Sequence, residues 1–129
     1  MGKFIWRSFE DFASEATIVS QALRNLGLNP KDKVAILAET RAEWILMAYA
    51  CFKNNITIVT IYTTLGNDGI VHALNETQVP LLICSDETLP KVLTCFCYVL
   101  VHVFWTGHRI SNLLLNVCFD FLIQLKNQI

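Results

Sequence analysis

The side chains that could carry chemistry in this sequence include five cysteines and three histidines. The cysteines contain no Cys-x-x-Cys pair, and the histidines have no spacing to them that is typical of a metal site. We therefore expect no metal ion here. Because no secretory signal is recognisable at the start of the chain, we expect a reduced, cytosolic setting. The residues concerned are Cys51, Cys84, Cys95, Cys97, Cys118, His72, His102 and His108.

Residues 63–69 contain hydroxyl groups and glycines after a β-branched run and before a helical pattern, where a phosphate loop could lie. A helix amino terminus attracts anions. No lysine follows this segment, however, and Asp68 would repel a phosphate group. We therefore expect no phosphate site at residues 63–69.

Two other classes of ligand are also disfavoured. The turn at residues 38–42 contains no glycine that would admit a pyrophosphate, and Glu39 would be unfavourable beside one, which argues against a dinucleotide site. A formal net charge of −1 leaves no basic surface for a nucleic acid. From the residues, we assign no catalytic, cofactor-binding or metal-ligating side chain in this chain.

The elements that would position these residues alternate between helix and strand. Apolar or β-branched runs predict strands at residues 34–37, 56–61 and 80–84. An apolar stripe predicts a helix with Ser8 as its N-cap and Gly27 at its end. Short connections between helices and strands predict right-handed crossovers. The predicted fold class is α/β, with a partial three-stranded parallel sheet and flanking helices.

Two further helices are predicted between these strands. Thr40 and Glu43 have the spacing of a capping box, so we expect Thr40 to cap a helix that closes at residues 53–55. The next helix should open at residues 66–68 and end near Asn75.

Three pieces of this region, in order and spacing, resemble the N-terminal region of long-chain fatty acyl-CoA synthetases, which are AMP-forming ligases of the adenylate-forming superfamily. The resemblance covers about residues 4–92, and it explains residues 63–69 better than phosphate binding does. The pieces are Glu39-Thr40-Arg41-Ala42-Glu43-Trp44, Cys51-Phe52-Lys53-Asn54-Asn55 and Ile61-Tyr62-Thr63-Thr64-Leu65-Gly66.

The resemblance implies a reaction in which a fatty acid, ATP and CoA give acyl-CoA, AMP and pyrophosphate through an acyl-adenylate. Such a ligase needs a Ser/Thr/Gly-rich phosphate loop, an acidic group that holds Mg²⁺ and a mobile lid that supplies a lysine. None of these segments is present in this sequence. ATP, Mg²⁺ and CoA are therefore implied for the full-length family, and residues 1–91 are expected to be a scaffold that is inactive alone.

Residues 92–129 differ in character, because they contain only three charged side chains, Arg109, Asp120 and Lys126. Their first apolar run, residues 92–105, is shorter than the roughly 20 residues of a spanning helix. We expect an apolar, helical tail that is unrelated to the family. The alternative function is a truncated, non-catalytic isoform that binds a partner or a membrane; the resemblance implies the cytoplasmic side of the endoplasmic reticulum or other intracellular membranes.

Overall fold

The computed structural model describes residues 6–95 and the backbone of residues 102–106. Helices and strands alternate along these residues. The helices are α1 (Phe9–Asn25), α2 (Ala42–Lys53), α3 (Asn67–Thr77) and α4 (Leu89–Cys95), and the strands are β1 (Lys33–Leu37), β2 (Thr57–Thr60), β3 (Leu81–Ser85) and β4 (His102–Thr106).

The described strands form one parallel sheet in the order β2-β1-β3-β4. The chain passes from β1 to β2 and then returns past β1 to β3, so its direction across the sheet reverses. Because crossovers between parallel strands are right-handed, this reversal places α2 and α3 on opposite faces. The predicted α/β class and the parallel pairing of the first three strands are confirmed.

Alternate side chains of β1 enter two separate cores. Val34 and Ile36 pack with residues of α1 and α2, including Leu23 and Met47. Ala35 and Leu37 pack with residues of α3 and α4 on the opposite face. The four side chains from Val34 to Leu37 are at most 2% exposed. Burial on both faces explains why this strand is a continuous apolar run in the sequence.

β4 was not predicted from the sequence. It lies inside the apolar tail that we expected to be helical, whereas the structure has the short helix α4 followed by a strand that pairs with β3. An apolar run is compatible with either a helix or a buried strand. Pairing with the outer edge of β3 favours the strand here, because the backbone groups of both strands gain partners. The remainder of the predicted tail, residues 96–101 and 107–129, lies outside the described residues.

Ser8 is the N-cap of α1, as predicted, and it takes part in a capping box that was not predicted. The Ser8 hydroxyl oxygen accepts a hydrogen bond from the Asp11 N–H at 3.0 Å, and Asp11 Oδ2 accepts from the Ser8 N–H at 3.4 Å. Asp11 Oδ2 also accepts from the Ser8 hydroxyl at 2.6 Å. The bonds that the Asp11 carboxylate accepts, first from the Ser8 hydroxyl and then from the Ser8 N–H, lower the pKa of Asp11. The helix is followed by Gly27, whose φ of +87° lies in the left-handed region that glycine favours.

α2 begins differently from the prediction. Its N-cap is Arg41, which makes no side-chain capping bond, so the predicted capping box between Thr40 and Glu43 is wrong. Glu43 Oε2 instead accepts from Arg41 Nε at 3.0 Å. A hydrogen bond between two charged groups is stronger than the bond that the neutral Thr40 N–H would donate to Glu43 in a capping box, which accounts for this choice. The helix ends at Lys53, close to the predicted position.

Replacing Ser8 with alanine should lower the free energy of unfolding by about 1 kcal/mol, because the Asp11 amide loses its capping acceptor. Thr40→Ala is the matched control, and its effect should stay within about 0.5 kcal/mol, because Thr40 does not cap α2. Urea unfolding followed by circular dichroism measures both. Equal losses in the two variants would contradict this assignment of caps.

Candidate functional site

The carboxyl ends of β1 and β3 form the part of this sheet where a ligand would be expected. In open α/β sheets, ligands bind outside the carboxyl ends of strands at the point where the strand order reverses. β1 and β3 are neighbours at this point, and the helices that follow them lie on opposite faces. The loops that leave these strands, residues 38–41 and 86–88, therefore border the candidate site.

A cluster of hydrogen bonds joins the two loops. The Thr88 hydroxyl donates to the Leu37 carbonyl oxygen at 2.7 Å and accepts from the Ser85 N–H at 3.0 Å. The Ser85 hydroxyl donates to Glu39 Oε2 at 2.6 Å. Ser85 and Thr88 are 0% and 2% exposed, so water competes little for these bonds. The cluster thus joins the ends of β1 and β3 side by side.

Arg41 lies at the outer border of this cluster. Its guanidinium is 3.0 Å from Glu43 and 3.7 Å from Glu87. The hydrogen bond with Glu43, and then the charge of Glu43, raises the pKa of Arg41. The Glu87 side chain is 64% exposed, and ion pairs at the surface stabilise a fold only weakly. Arg41 therefore orients the loop surface more than it stabilises the fold.

The chemical capacity of the cluster is limited by burial. A nucleophilic serine must be accessible to its substrate and must lie next to a general base. The Ser85 hydroxyl does donate to a carboxylate, that of Glu39, but Ser85 is fully buried and is therefore not accessible to a substrate. Among the described residues, no buried side-chain nitrogen or oxygen lacks a hydrogen-bond partner. The cluster is therefore suited to holding two loops together.

The segment at residues 63–69 is attached to α4. The Lys91 ammonium donates to the Thr63 carbonyl oxygen, and the Asn67 amide nitrogen donates to the Thr94 hydroxyl at 3.1 Å. The Cys95 thiol lies 3.7 Å from the Asn67 carbonyl oxygen. Sequence reasoning missed Lys91, because a cation 28 positions away leaves no signal in the local spacing. These contacts hold the connector between β2 and α3 against α4.

Asn54, one residue of the family-like block, has a structural role that the sequence did not indicate. Its side-chain oxygen accepts from the Ser20 hydroxyl at 3.0 Å and from Arg24 Nε at 2.6 Å. Its side-chain nitrogen donates to the Ser20 carbonyl oxygen at 2.7 Å. Asn54 is 6% exposed. It therefore fastens the carboxyl end of α2 to α1, at the opposite edge of the sheet from the candidate site.

In the part of the chain that is described, no group of three His, Cys, Asp or Glu side chains could hold a metal ion. His72 is exposed on α3. His108, Cys97 and Cys118 lie outside the described residues, and only the backbone of His102 is described. The assignment of no catalytic, cofactor-binding or metal-ligating residue stays a prediction.

The described cysteines Cys51, Cys84 and Cys95 form no disulfide. Cys51 and Cys84 are 0% exposed, and burial raises the pKa of Cys51 to about 11 and that of Cys84 to about 12. The thiolate is the reactive form of cysteine. These two thiols are thus packing groups at neutral pH.

Comparison with known proteins identifies the family to which this sequence is similar. The sequence model of the family described as AMP-binding enzyme matches residues 2–111. Long chain acyl-CoA synthetase 8 of Arabidopsis thaliana is 39% identical over 92 residues, which are 71% of this chain and 13% of that protein. Long-chain-fatty-acid–CoA ligase 1 of Schizosaccharomyces pombe is 43% identical over 79 residues, 61% of this chain and 12% of the ligase.

A similar fold occurs in solved structures. The anthranilate CoA ligase AuaEII in complex with anthranoyl-AMP superposes with a TM-score of 0.74 at 25% identity, over 87% of this chain and 22% of that one. This chain therefore spans between 12% and 22% of the length of these three proteins. The family match extends past residue 91 to residue 111. The proposed boundary between a family region and a tail stays a prediction.

Alkylation by iodoacetamide at pH 8 should be slow at Cys51 and Cys84, because their raised pKa values leave very little thiolate in the folded state. In urea, the same thiols should react at the rate of an ordinary cysteine. Peptide mass spectrometry resolves each site. Rapid labelling of Cys51 or Cys84 in the folded protein would contradict their assignment as buried packing groups.

Proposed function

The chain belongs to the family of AMP-binding enzymes, and we propose that it forms part of a long-chain fatty acid–CoA ligase. The reaction would join a fatty acid to CoA with the consumption of ATP, through an acyl-adenylate. The observation that carries this proposal is the identity of 39% to a long chain acyl-CoA synthetase and of 43% to a long-chain-fatty-acid–CoA ligase. The similarity in fold to a CoA ligase that binds an acyl-adenylate supports it.

In this enzyme, residues 1–91 would serve as scaffold. The buried contacts of Ser85, Thr88 and Asn54 hold strands and helices in place, and the segments that bind ATP, Mg²⁺ and CoA would come from other parts of the polypeptide. The chain by itself would therefore form no acyl-CoA.

A chimera tests this proposal. The 92-residue segment of the Arabidopsis thaliana synthetase that aligns with this chain is replaced by the corresponding residues of this chain. The chimera should form palmitoyl-CoA from palmitate, ATP and CoA, because the replaced segment would supply the same scaffold. The assay measures the release of AMP and the appearance of the thioester.

The unmodified synthetase is the positive control, and the isolated chain of residues 1–129 should give no product. A chimera that folds but forms neither acyl-adenylate nor acyl-CoA would contradict the proposed function. Formation of palmitoyl-CoA by the pure isolated chain would contradict the scaffold role.

An exposed aromatic surface favours a second candidate function, in which the chain is a non-catalytic module at a membrane. Phe9, which lies one helical turn before Phe12 on α1, is 94% exposed, and Phe52 is 63% exposed. The rings of Phe12 and Tyr49 are 5.3 Å apart and those of Tyr49 and Phe52 are 6.1 Å apart, so α1 and α2 share this surface. Aromatic side chains are favoured at membrane interfaces.

The described helices include none that is both long and apolar enough to cross a bilayer. We propose a peripheral contact through the exposed aromatic side chains, at the cytoplasmic side of the endoplasmic reticulum or another intracellular membrane.

The double variant Phe9→Ser, Phe52→Ser should co-float with phosphatidylcholine vesicles less than the unmodified chain, because two large apolar side chains no longer enter the interface. Leu93→Ser is the matched control. Leu93 is 54% exposed on α4, in the other helical layer, so its replacement should leave flotation unchanged. Equal flotation of all three proteins would contradict a membrane role for the aromatic surface.

A further inference from the structure

The buried hydroxyl group of Thr88 makes the central bonds of the cluster that joins the loops at residues 38–41 and 86–88. We propose that Thr88 is a positioning residue for the ligase reaction, and that it sets the geometry of these two loops at the edge of the sheet where ligands would bind. This inference rests on the proposed function. Thr88 would touch no reacting atom and would act through Glu39 and the beginning of α2.

Thr88 joins residues that are distant in the chain. The Leu37 carbonyl at the end of β1 accepts its hydroxyl hydrogen, although 51 positions separate the two residues. Thr88 also ends its own tight turn, since its N–H donates to the Ser85 carbonyl oxygen at 3.2 Å. A β-branched side chain has few rotamers, so the hydroxyl group is held in a defined direction. Loss of the Thr88 hydroxyl would therefore remove a hydrogen bond from the end of β1 and one from the loop at residues 86–88 at the same time.

The constraint continues from Thr88 to a carboxylate. The Ser85 amide donates to the Thr88 hydroxyl, and the Ser85 hydroxyl donates to Glu39. Glu39 is only partly buried, and it lies at the carboxyl edge of the sheet, two residues after the end of β1. The direction of this carboxylate depends on Ser85, whose own position depends on Thr88.

The place of the cluster in the fold connects it with catalysis. In open α/β sheets, ligands bind where neighbouring strands lead to helices on opposite faces, and residues 38–41 and 86–88 lie at that place in this sheet. A displacement of about 1 Å at a reacting centre can lower a rate about 100-fold. A tie that sets the separation of the two loops would therefore affect turnover.

The test is Thr88→Val in the chimera with the Arabidopsis thaliana synthetase. Valine keeps the shape of threonine but leaves the Leu37 carbonyl without its donor and the Ser85 N–H without its acceptor. At a temperature where circular dichroism shows the folded protein, kcat should fall about tenfold or more. Thr88→Ser, which keeps the hydroxyl, should restore kcat to within about twofold of the parent chimera.

Ser20→Ala is the matched control, because it removes a buried hydrogen bond at the opposite edge of the sheet. Ser20→Ala should lower stability but leave kcat within about twofold. If Thr88 had only a structural role, Thr88→Val would likewise lower stability and leave kcat within about twofold. If Thr88→Val does not fold, Glu39→Ala breaks only the outer bond of the cluster, and kcat should fall about threefold. An unchanged kcat in a folded Thr88→Val chimera would overturn the inference. If that variant does not fold, an unchanged kcat in the Glu39→Ala chimera would overturn it. An inactive parent chimera would instead contradict the proposed function.

Discussion

Burial of β1 on both faces and along both edges is the constraint on which the rest of the structure depends. Its backbone pairs with β2 on one side and with β3 on the other, while its side chains enter two cores. A strand in this position must be apolar throughout, and Val34 to Leu37 meet that requirement. Two layers of helices must cover it. α1 and α2 cover one face, and α3 and α4 cover the other.

A central buried strand creates a polar requirement at its end. Backbone carbonyl groups buried at the end of a strand need hydrogen-bond donors, and an unpaired buried group is destabilising by about 1–3 kcal/mol. Thr88 supplies a donor to Leu37, and Asn54 provides a comparable set of bonds between α1 and α2. Thr88 lies where the strand order reverses, which is the place at which open α/β sheets bind ligands. The fold and the proposed reaction thus depend on the same loops.

Local signals predicted the elements that local interactions determine. Ser8 and Gly27 begin and end α1 as expected, because a capping hydroxyl and a left-handed glycine act within a few residues. The same reasoning was wrong at Thr40, where the charged pair of Arg41 and Glu43 replaced the expected capping bonds. β4 was missed because an apolar run does not by itself distinguish a helix from a strand, and only the edge of β3 made pairing available.

The sequence by itself determined the α/β class, the apolar character of the central strands and the family to which the chain belongs. Hydrophobic periodicity and sequence motifs can be recognised without knowledge of which residues are in contact. The tertiary structure decided which residues that are distant in the sequence come into contact. The contacts of Thr88 with Leu37, of Lys91 with Thr63 and of Asn54 with Ser20 join residues that are between 28 and 51 positions apart. No local pattern encodes such pairs, because their distance depends on the order of the strands and on the hand of the crossovers.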